Sequence, residues 1–225
     1  MATAGYKAQV RIAGAALATI NEAFSAVVST TVWHATASAK RVIDWNTANT
    51  VQTSPDGIVW TTVTNYTVDY LFGKITFSAP LAVGVQVRAS YNYLPLYTFA
   101  EGRDVSFDVS FVELDTTVFG DTDVHRIQGL EDMSGSITSL SLLNVELDGT
   151  GGAEKTLAEL LDDREYVVLC YKPDSAGNFE MRAVVQFSSE ALSQAVDGLA
   201  ESTVSFVGAA PKSATGVQVG LAYSA

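Results

Sequence analysis

The 225-residue sequence predicts a mainly β protein: an antiparallel sandwich or barrel-like sheet with one short flanking helix and a small inserted β-rich subdomain. Three observations predict it. Val105, Phe107, Val109 and Phe111 alternate with Asp104, Ser106, Asp108 and Ser110, the period of a strand buried on one side. Turn signals recur at short spacing, among them Ser54-Pro55-Asp56-Gly57, Phe72-Gly73-Lys74, Ala79-Pro80, Val83-Gly84 and Asp197-Gly198. Helical spacing is confined to one place. Thr156 and Glu159 form a capping box ahead of Leu157, Leu160 and Leu161, with Asp162-Asp163-Arg164 ending the run.

In chain order, residues 6–12 read as a short strand. Residues 13–24 are Ala-rich and fit a strand or a short helix; we read a strand. Residues 26–33 are β-branched and continue as an arm or strand. Residues 34–96 have a different texture. Short strands at 58–63, 74–77 and 85–93 lie between turns, which suggests hairpins around Gly73 and around 80–84. This stretch reads as a subdomain inserted into a main domain made of residues 1–33 and 97–225. Its aromatics (Trp45, Trp60, Tyr66, Tyr70, Phe72, Phe77, Tyr91, Tyr93) read as a small core in preference to a carbohydrate platform.

The alternating strand at 103–111 slips phase near Val112 and Leu114. It then turns through the acidic, Thr-rich segment 115–123, with Gly120 supplying the bend. A second polar-faced run follows, where Ser134, Ser136 and Thr138 alternate with Met133, Gly135 and Ile137. After the helix, strands are expected at 165–172 and 179–188. A hairpin is expected between 191–196 and 199–207, around Asp197-Gly198. Residues 209–225 read as an arm that lies along a neighbouring subunit or stays mobile.

Net charge is -12, which argues against nucleic-acid binding through clustered Lys and Arg. Charged residues are only 17% of the chain, and small residues replace them. A surface so poor in charge suggests cover by other subunits. The lone Cys170 cannot form an internal disulfide and sits in an apolar run. No basic-then-apolar leader and no apolar run of about 18 residues is present, so assembly in a cytoplasm is expected. His125 follows Asp121 and Asp123, but His and Arg stand where a calcium loop needs an oxygen ligand and Gly. Zinc spacings, a phosphate loop and a nucleophile elbow are absent. No catalytic centre, metal or cofactor is expected.

Several of these residues carry a family resemblance. The run ELDTT, then FGD, then Gly129-Leu130 with Asp132-Met133-Ser134-Gly135-Ser136, resembles the major tail tube proteins of long-tailed bacteriophages over roughly residues 97–208. The resemblance implies a tail tube fold whose subunits close as hexameric rings, stack into a hollow tube and conduct phage DNA to the host. It implies a tape-measure protein and a tail terminator as partners, and a place in the virion tail. From Glu101 to Gly135 there are nine acidic residues against Arg103 and Arg126. On this reading Asp104, Asp108, Ser134 and Ser136 line the lumen, where a negative wall repels phosphates so that DNA passes without specific binding. Two alternatives stay open: a related ring of the same fold (tail terminator, distal tail ring or secretion-system tube), and a carbohydrate-binding β-sandwich presenting Trp45, Trp60 and Tyr66.

Overall fold

The computed structural model describes residues 9–27, 30–98, 102–116, 118, 123, 126–140, 166–173, 179–194 and 200–224. Among these residues two antiparallel sheets form and there is no α-helix. β1 (Gln9–Ala13) opens a large sheet. The chain then builds a small sheet from β2 (Leu17–Ala26), β3 (Val32–Ala35), β4 (Thr50–Ser54), β5 (Thr61–Val63), β6 (Tyr66–Asp69), β7 (Lys74–Phe77) and β8 (Gln86–Tyr93). It returns through β9 (Leu96–Thr98), β10 (Gly102–Asp115), β11 (Arg126–Leu140), β12 (Val167–Lys172), β13 (Glu180–Gln194), β14 (Ala200–Gly208) and β15 (Leu221–Ser224).

The large sheet runs β10-β11-β14-β13-β12-β1-β9, with β15 also on β13. It curls around its own inner face. Phe107 on β10 and Tyr171 on β12 have ring centroids 4.9 Å apart although β11, β14 and β13 lie between them. In a flat sheet four strand spacings would separate them by about 19 Å. Ile12, Ile137, Leu169, Val185, Phe187, Val204 and Phe206 fill the interior. Phe206 lies against Phe107, centroids 5.4 Å apart, and passes over Gly135, whose missing side chain leaves the space.

The small sheet runs β5-β4-β8-β2-β3-β7-β6. Its two edge strands, β5 and β6, are joined by Thr64 and Asn65 alone, so the sheet must roll until its edges meet. Tyr66 Oη on β6 donates to Asn49 Oδ1, just before β4, at 3.2 Å across that seam. Phe24, Trp33, Trp45, Val51, Ile75, Phe77, Val87 and Tyr91 form the core.

One neck joins the sheets. The chain leaves the large sheet at Gly14 and re-enters at Pro95, whose carbonyl accepts from Gly14 N at 2.9 Å. The neighbours Ala13 and Leu96 are paired across β1 and β9, and the Tyr97 ring occupies the space where a Gly14 side chain would stand. The outer face of β12–β13 then docks on the near end of the small sheet. Val168 and Val184, with Val219, belong to the small sheet's core.

Several expectations are corrected. β2 and β3 pair with β8 and β7, so residues 17–35 belong to the small sheet and not, with residues 1–33, to the main domain. The pairing of β2 with β8 spans some seventy residues of sequence, and no local signal reveals it. Residues 80–84 do not close a hairpin, because β7 pairs with β3 and β6 whereas β8 pairs with β2 and β4. The strand expected from residue 58 begins at Thr61: the Asp56 carboxylate accepts from the backbone N–H groups of Ile58 and Val59 at 2.9 and 3.0 Å, which bends the chain. The expected C-terminal arm folds on its own chain. After β14 the segment Ala209 to Gly220 makes an excursion, and β15 resumes along β13. Val184 holds both ends, receiving Ala209 N at its carbonyl (2.8 Å) and donating to Gly220 O (3.3 Å). The tip of the excursion meets the small sheet, where Ala214 N donates to Trp45 O at 2.7 Å and Tyr70 Oη is 3.2 Å from Thr215 Oγ1.

The strands around Gly73 and at 74–77 form as the sequence predicts, and the strand expected at 85–93 forms as Gln86–Tyr93. Residues 179–188 and 191–196, expected as two strands, are one bulged strand, β13, which pairs with β14, and the turn at Asp197-Gly198 lies outside the described residues. The helix capped by Thr156 and Glu159, His125 and most of the 115–123 turn lie outside the described residues.

Candidate functional site

The alternation in β10 is realised. Asp104, Ser106, Asp108 and Ser110 are exposed, while Val105, Phe107 and Val109 are half-buried against the core. Pairing with β11 sets Asp104 opposite Thr138, Ser106 opposite Ser136, Asp108 opposite Ser134 and Ser110 opposite Asp132. The four residues assigned to the lumen therefore share one face of one hairpin. The same face continues across two more strands. Ser136 pairs with Ser205 and that with Ser189; Thr138 pairs with Thr203 and that with Ala191. The result is a set of cross-strand rows of small, mostly hydroxylated side chains.

Hydroxyl contacts run between neighbours in these rows. Ser106 Oγ and Ser136 Oγ are 2.9 Å apart, and Ser136 N donates to Ser106 Oγ at 3.1 Å. Thr138 Oγ1 and Thr203 Oγ1 are 3.0 Å apart. Asp104 and Asp108 flank the serine row about 13 Å apart along the strand. From 104 to 110, 132 to 138 and 203 to 207 the sequence holds no Lys or Arg, so the face is neutral to negative. A bulge between Phe111 and Glu113 ends the clean phase and leaves Phe111 exposed. Among the described strands β10 pairs on one side only, so a fourteen-residue edge is open. The opposite edge, β9, is three residues long.

The other polar clusters hold the fold together. Arg182, 5% exposed, lies between the sheets. Its Nε donates to Glu180 Oε1 at 2.7 Å, its Nη1 donates to the Leu71 carbonyl, and its guanidinium lies 4.6 Å from the Phe72 ring. Cys170 Sγ donates to the same Glu180 oxygen at 2.8 Å. Burial, with the Glu180 carboxylate beside it, pushes the Cys170 thiol up to about 12, so it is an inert thiol. Burial raises the Glu180 carboxyl, but the Arg182 guanidinium and the Cys170 thiol more than reverse this and hold it below the usual range. On the small sheet, Lys40 Nζ pairs with Glu22 Oε2 at 2.6 Å and ties the turn Ser38–Lys40 to β2. Sequence reasoning missed the Glu180–Arg182 pair. A signal was present, since both phases of 181–187 are apolar except at Arg182 and Gln186, the pattern of a strand covered on two sides.

The aromatics proposed for glycan do not form a platform. Trp45 is buried, Trp60 is covered by the Arg88 guanidinium at 4.0 Å, and Tyr66 packs edge-on against Phe77. Among the described residues no group of three or more His, Cys, Asp or Glu side chains is placed to hold a metal. Among the same residues no helix is long and apolar enough to cross a membrane. Compared with models of protein families and with curated proteins, the chain matches none.

Proposed function

We propose that this chain is a structural subunit of a bacteriophage tail tube, assembling as hexameric rings that stack into a hollow conduit for DNA. One observation carries the reading. A long hairpin shows Asp104, Asp108, Ser134 and Ser136 on one face, in stretches (104–110 and 132–138) that hold no Lys or Arg, beside an edge strand that pairs on one side only among the described strands. A fourteen-residue edge is a template for another strand, and β10 carries neither Pro nor Lys to blunt it. Closing sheets into a ring satisfies such an edge. A wall of hydroxyls and carboxylates offers DNA phosphates no cation, so the counterion release that drives phosphate binding by Lys and Arg is missing. Stacking of rings is head to tail and open-ended, so a tape-measure protein and a terminator set the length.

Negative-stain electron microscopy across a concentration series tests this. Hollow tubes or stacked six-fold rings are expected. A monodisperse monomer that persists when a tail initiator complex is added would overturn the reading.

A further inference from the structure

Charge in the small sheet balances by count but not by pairing. Residues 14–95 hold four basic side chains (Lys40, Arg41, Lys74, Arg88) and four acidic ones (Glu22, Asp44, Asp56, Asp69), so the net charge of -12 falls on the rest of the chain. Glu22 pairs with Lys40. The three aspartates are taken up by backbone N–H groups of their own turns. Asp44 Oδ1 accepts from Asn46 N at 2.9 Å, Asp56 Oδ1 from Ile58 N at 2.9 Å, and Asp69 Oδ1 from Leu71 N and Phe72 N at 3.1 Å each. Arg88 lies on Trp60 and donates to Gln52. Arg41 and Lys74 are left, and neither forms an ion pair among the described residues.

These two cations share a neighbour, His34. His34 on β3 stands opposite Lys74 on β7, with Cβ atoms about 5 Å apart. Trp33 and Ile75 point into the core, so His34 and Lys74 stand on the outer face. Arg41 comes from the connection after β3. Its Nε donates to Ala35 O at 3.0 Å, and its Nη2 lies 3.4 Å from His34 Nε2. Its Nη1 meets no acceptor among the described residues. Gly73, at φ 62°, passes so close to the Arg41 backbone that no side chain would fit, which fixes the start of β7 beside Arg41. Lys74 Nζ lies over the Phe72 ring, 5.4 Å from its centroid. All three side chains are half-buried. Burial, then Arg41 and Lys74, hold the His34 ring below its ordinary pKa.

We propose that Arg41, Lys74 and His34 form a binding site for a tetrahedral oxyanion, the sulfate or phosphate group of a ligand. Arg41 and Lys74 supply two positive charges, which match a dianion; one carboxylate would offset only one of them. Arg41 Nη1 and Lys74 Nζ reach from a connection and from a strand and donate to different oxygens. Arg41 is already anchored through Nε, so little freedom is lost on binding. While Arg41 donates to Nε2, the His34 ring is neutral with its proton on Nδ1. An anion that offsets the two cations favours the charged ring, which in turn releases Nη2 to the anion. The groups facing His34 are Ser25 on β2, Lys74 on β7 and Arg41, with Asp69 on β6 one strand beyond Lys74. The site stands whether or not the large sheet builds a tube.

The chain has two histidines, so the imidazole region of its NMR spectrum holds two titrations, and His34→Gln assigns them. Full-length protein is titrated in sodium sulfate and in sodium chloride at equal ionic strength. The His34 midpoint is expected to rise in sulfate by about half a pH unit or more, which is about threefold tighter binding to the charged ring. In Lys74→Gln, a change on the outer face, the midpoint should be higher in chloride and should no longer rise in sulfate. A second measurement reads the site in assembled protein too. Acetylation of Lys74 by acetic anhydride, followed by mass spectrometry, is expected to slow several-fold in sulfate, while Lys40, already paired with Glu22, serves as the internal control. Inorganic phosphate and glycerol 1-phosphate then separate the sources: equal protection assigns the free anion, and stronger protection by the ester assigns a phosphorylated ligand. Equal His34 midpoints in the two salts, or equal slowing of Lys74 and Lys40, would overturn the proposal.

Discussion

Arg182 is the residue on which the junction of the two sheets turns. Its guanidinium is buried and is held by one carboxylate, one carbonyl and one aromatic face. Replacing it, as in Arg182→Met, leaves Glu180 and the Leu71 carbonyl without that donor. The expected loss is about 3 kcal/mol by urea denaturation, in the range for breaking one side of a buried pair. Glu180→Gln keeps an oxygen for Arg182 and is expected to cost less, but it changes the acid limb. The Glu180 carboxyl sits below its unfolded value, so its stabilisation is full above about pH 4.5 and is lost as pH falls through the folded value. In Glu180→Gln, stability should therefore fall less steeply below pH 4.5; an unchanged slope would remove Glu180 from the account. His34 works in the same direction at higher pH. Burial, with Arg41 and Lys74 nearby, lowers its pKa, and Arg41 Nη2 lies 3.4 Å from Nε2, a contact that suits the neutral ring. Its contribution is complete above about pH 6.5 and declines as pH falls below that. Gly135 is constrained by packing instead of charge. A side chain there would meet the Ser106 carbonyl and the Phe206 ring, and the carbonyl is backbone that cannot swing away. Gly135→Ala should cost about 3 kcal/mol, the upper end of overpacking. A melting temperature equal to wild type would show that β10 can shift outward.

At the scale of elements, the chain between Gly14 and Pro95 behaves as a unit on a single neck. Its buried core is drawn from its own residues except for Val168, Val184 and Val219. A fragment of residues 14–95 is therefore expected to fold with a cooperative thermal transition, less stable than the whole because Tyr70, Leu71 and Phe72 lose their cover. A sloping, non-cooperative melt would mean that the docked face of β12–β13 is needed to complete the fold. What could be read in advance follows from the same physics. β10 and β11 each have one wet face, so period two survives in the sequence and places Asp104, Asp108, Ser134 and Ser136 together. β2 is Ala-rich and bulged between Thr19 and Glu22, with Asn21 at φ 54°, so its period is interrupted and its partner invisible. Arg182 is covered from both sides, and a residue inside an all-apolar strand gives no hint of which element covers it. The tail after β14 looked like an arm because Pro, Gly and Ala mark a departure from the strand and say nothing of the return along β13.

For the whole molecule the question is what its distribution of charge does. The outer face of the large sheet is divided: over β12–β13 it is covered by the small sheet, and over β10, β11 and β14 no other described element packs on it and it is hydroxylated and acidic. If that open face lines a bore, the carboxylates of Asp104 and Asp108 act on a passing phosphate only within about a Debye length, ~10 Å at 0.1 M salt. The effect is then on sliding, not on whether the tube forms, because neither residue belongs to the curled core. Asp104→Lys with Asp108→Lys is expected to fold and polymerise like wild type. Phages carrying it should eject DNA several-fold more slowly in low salt, as the new ammonium groups hold phosphates and release counterions. Raising salt should bring the two rates together. Ejection at the wild-type rate in low salt would place these carboxylates outside the DNA path, even in a chain that still builds tubes.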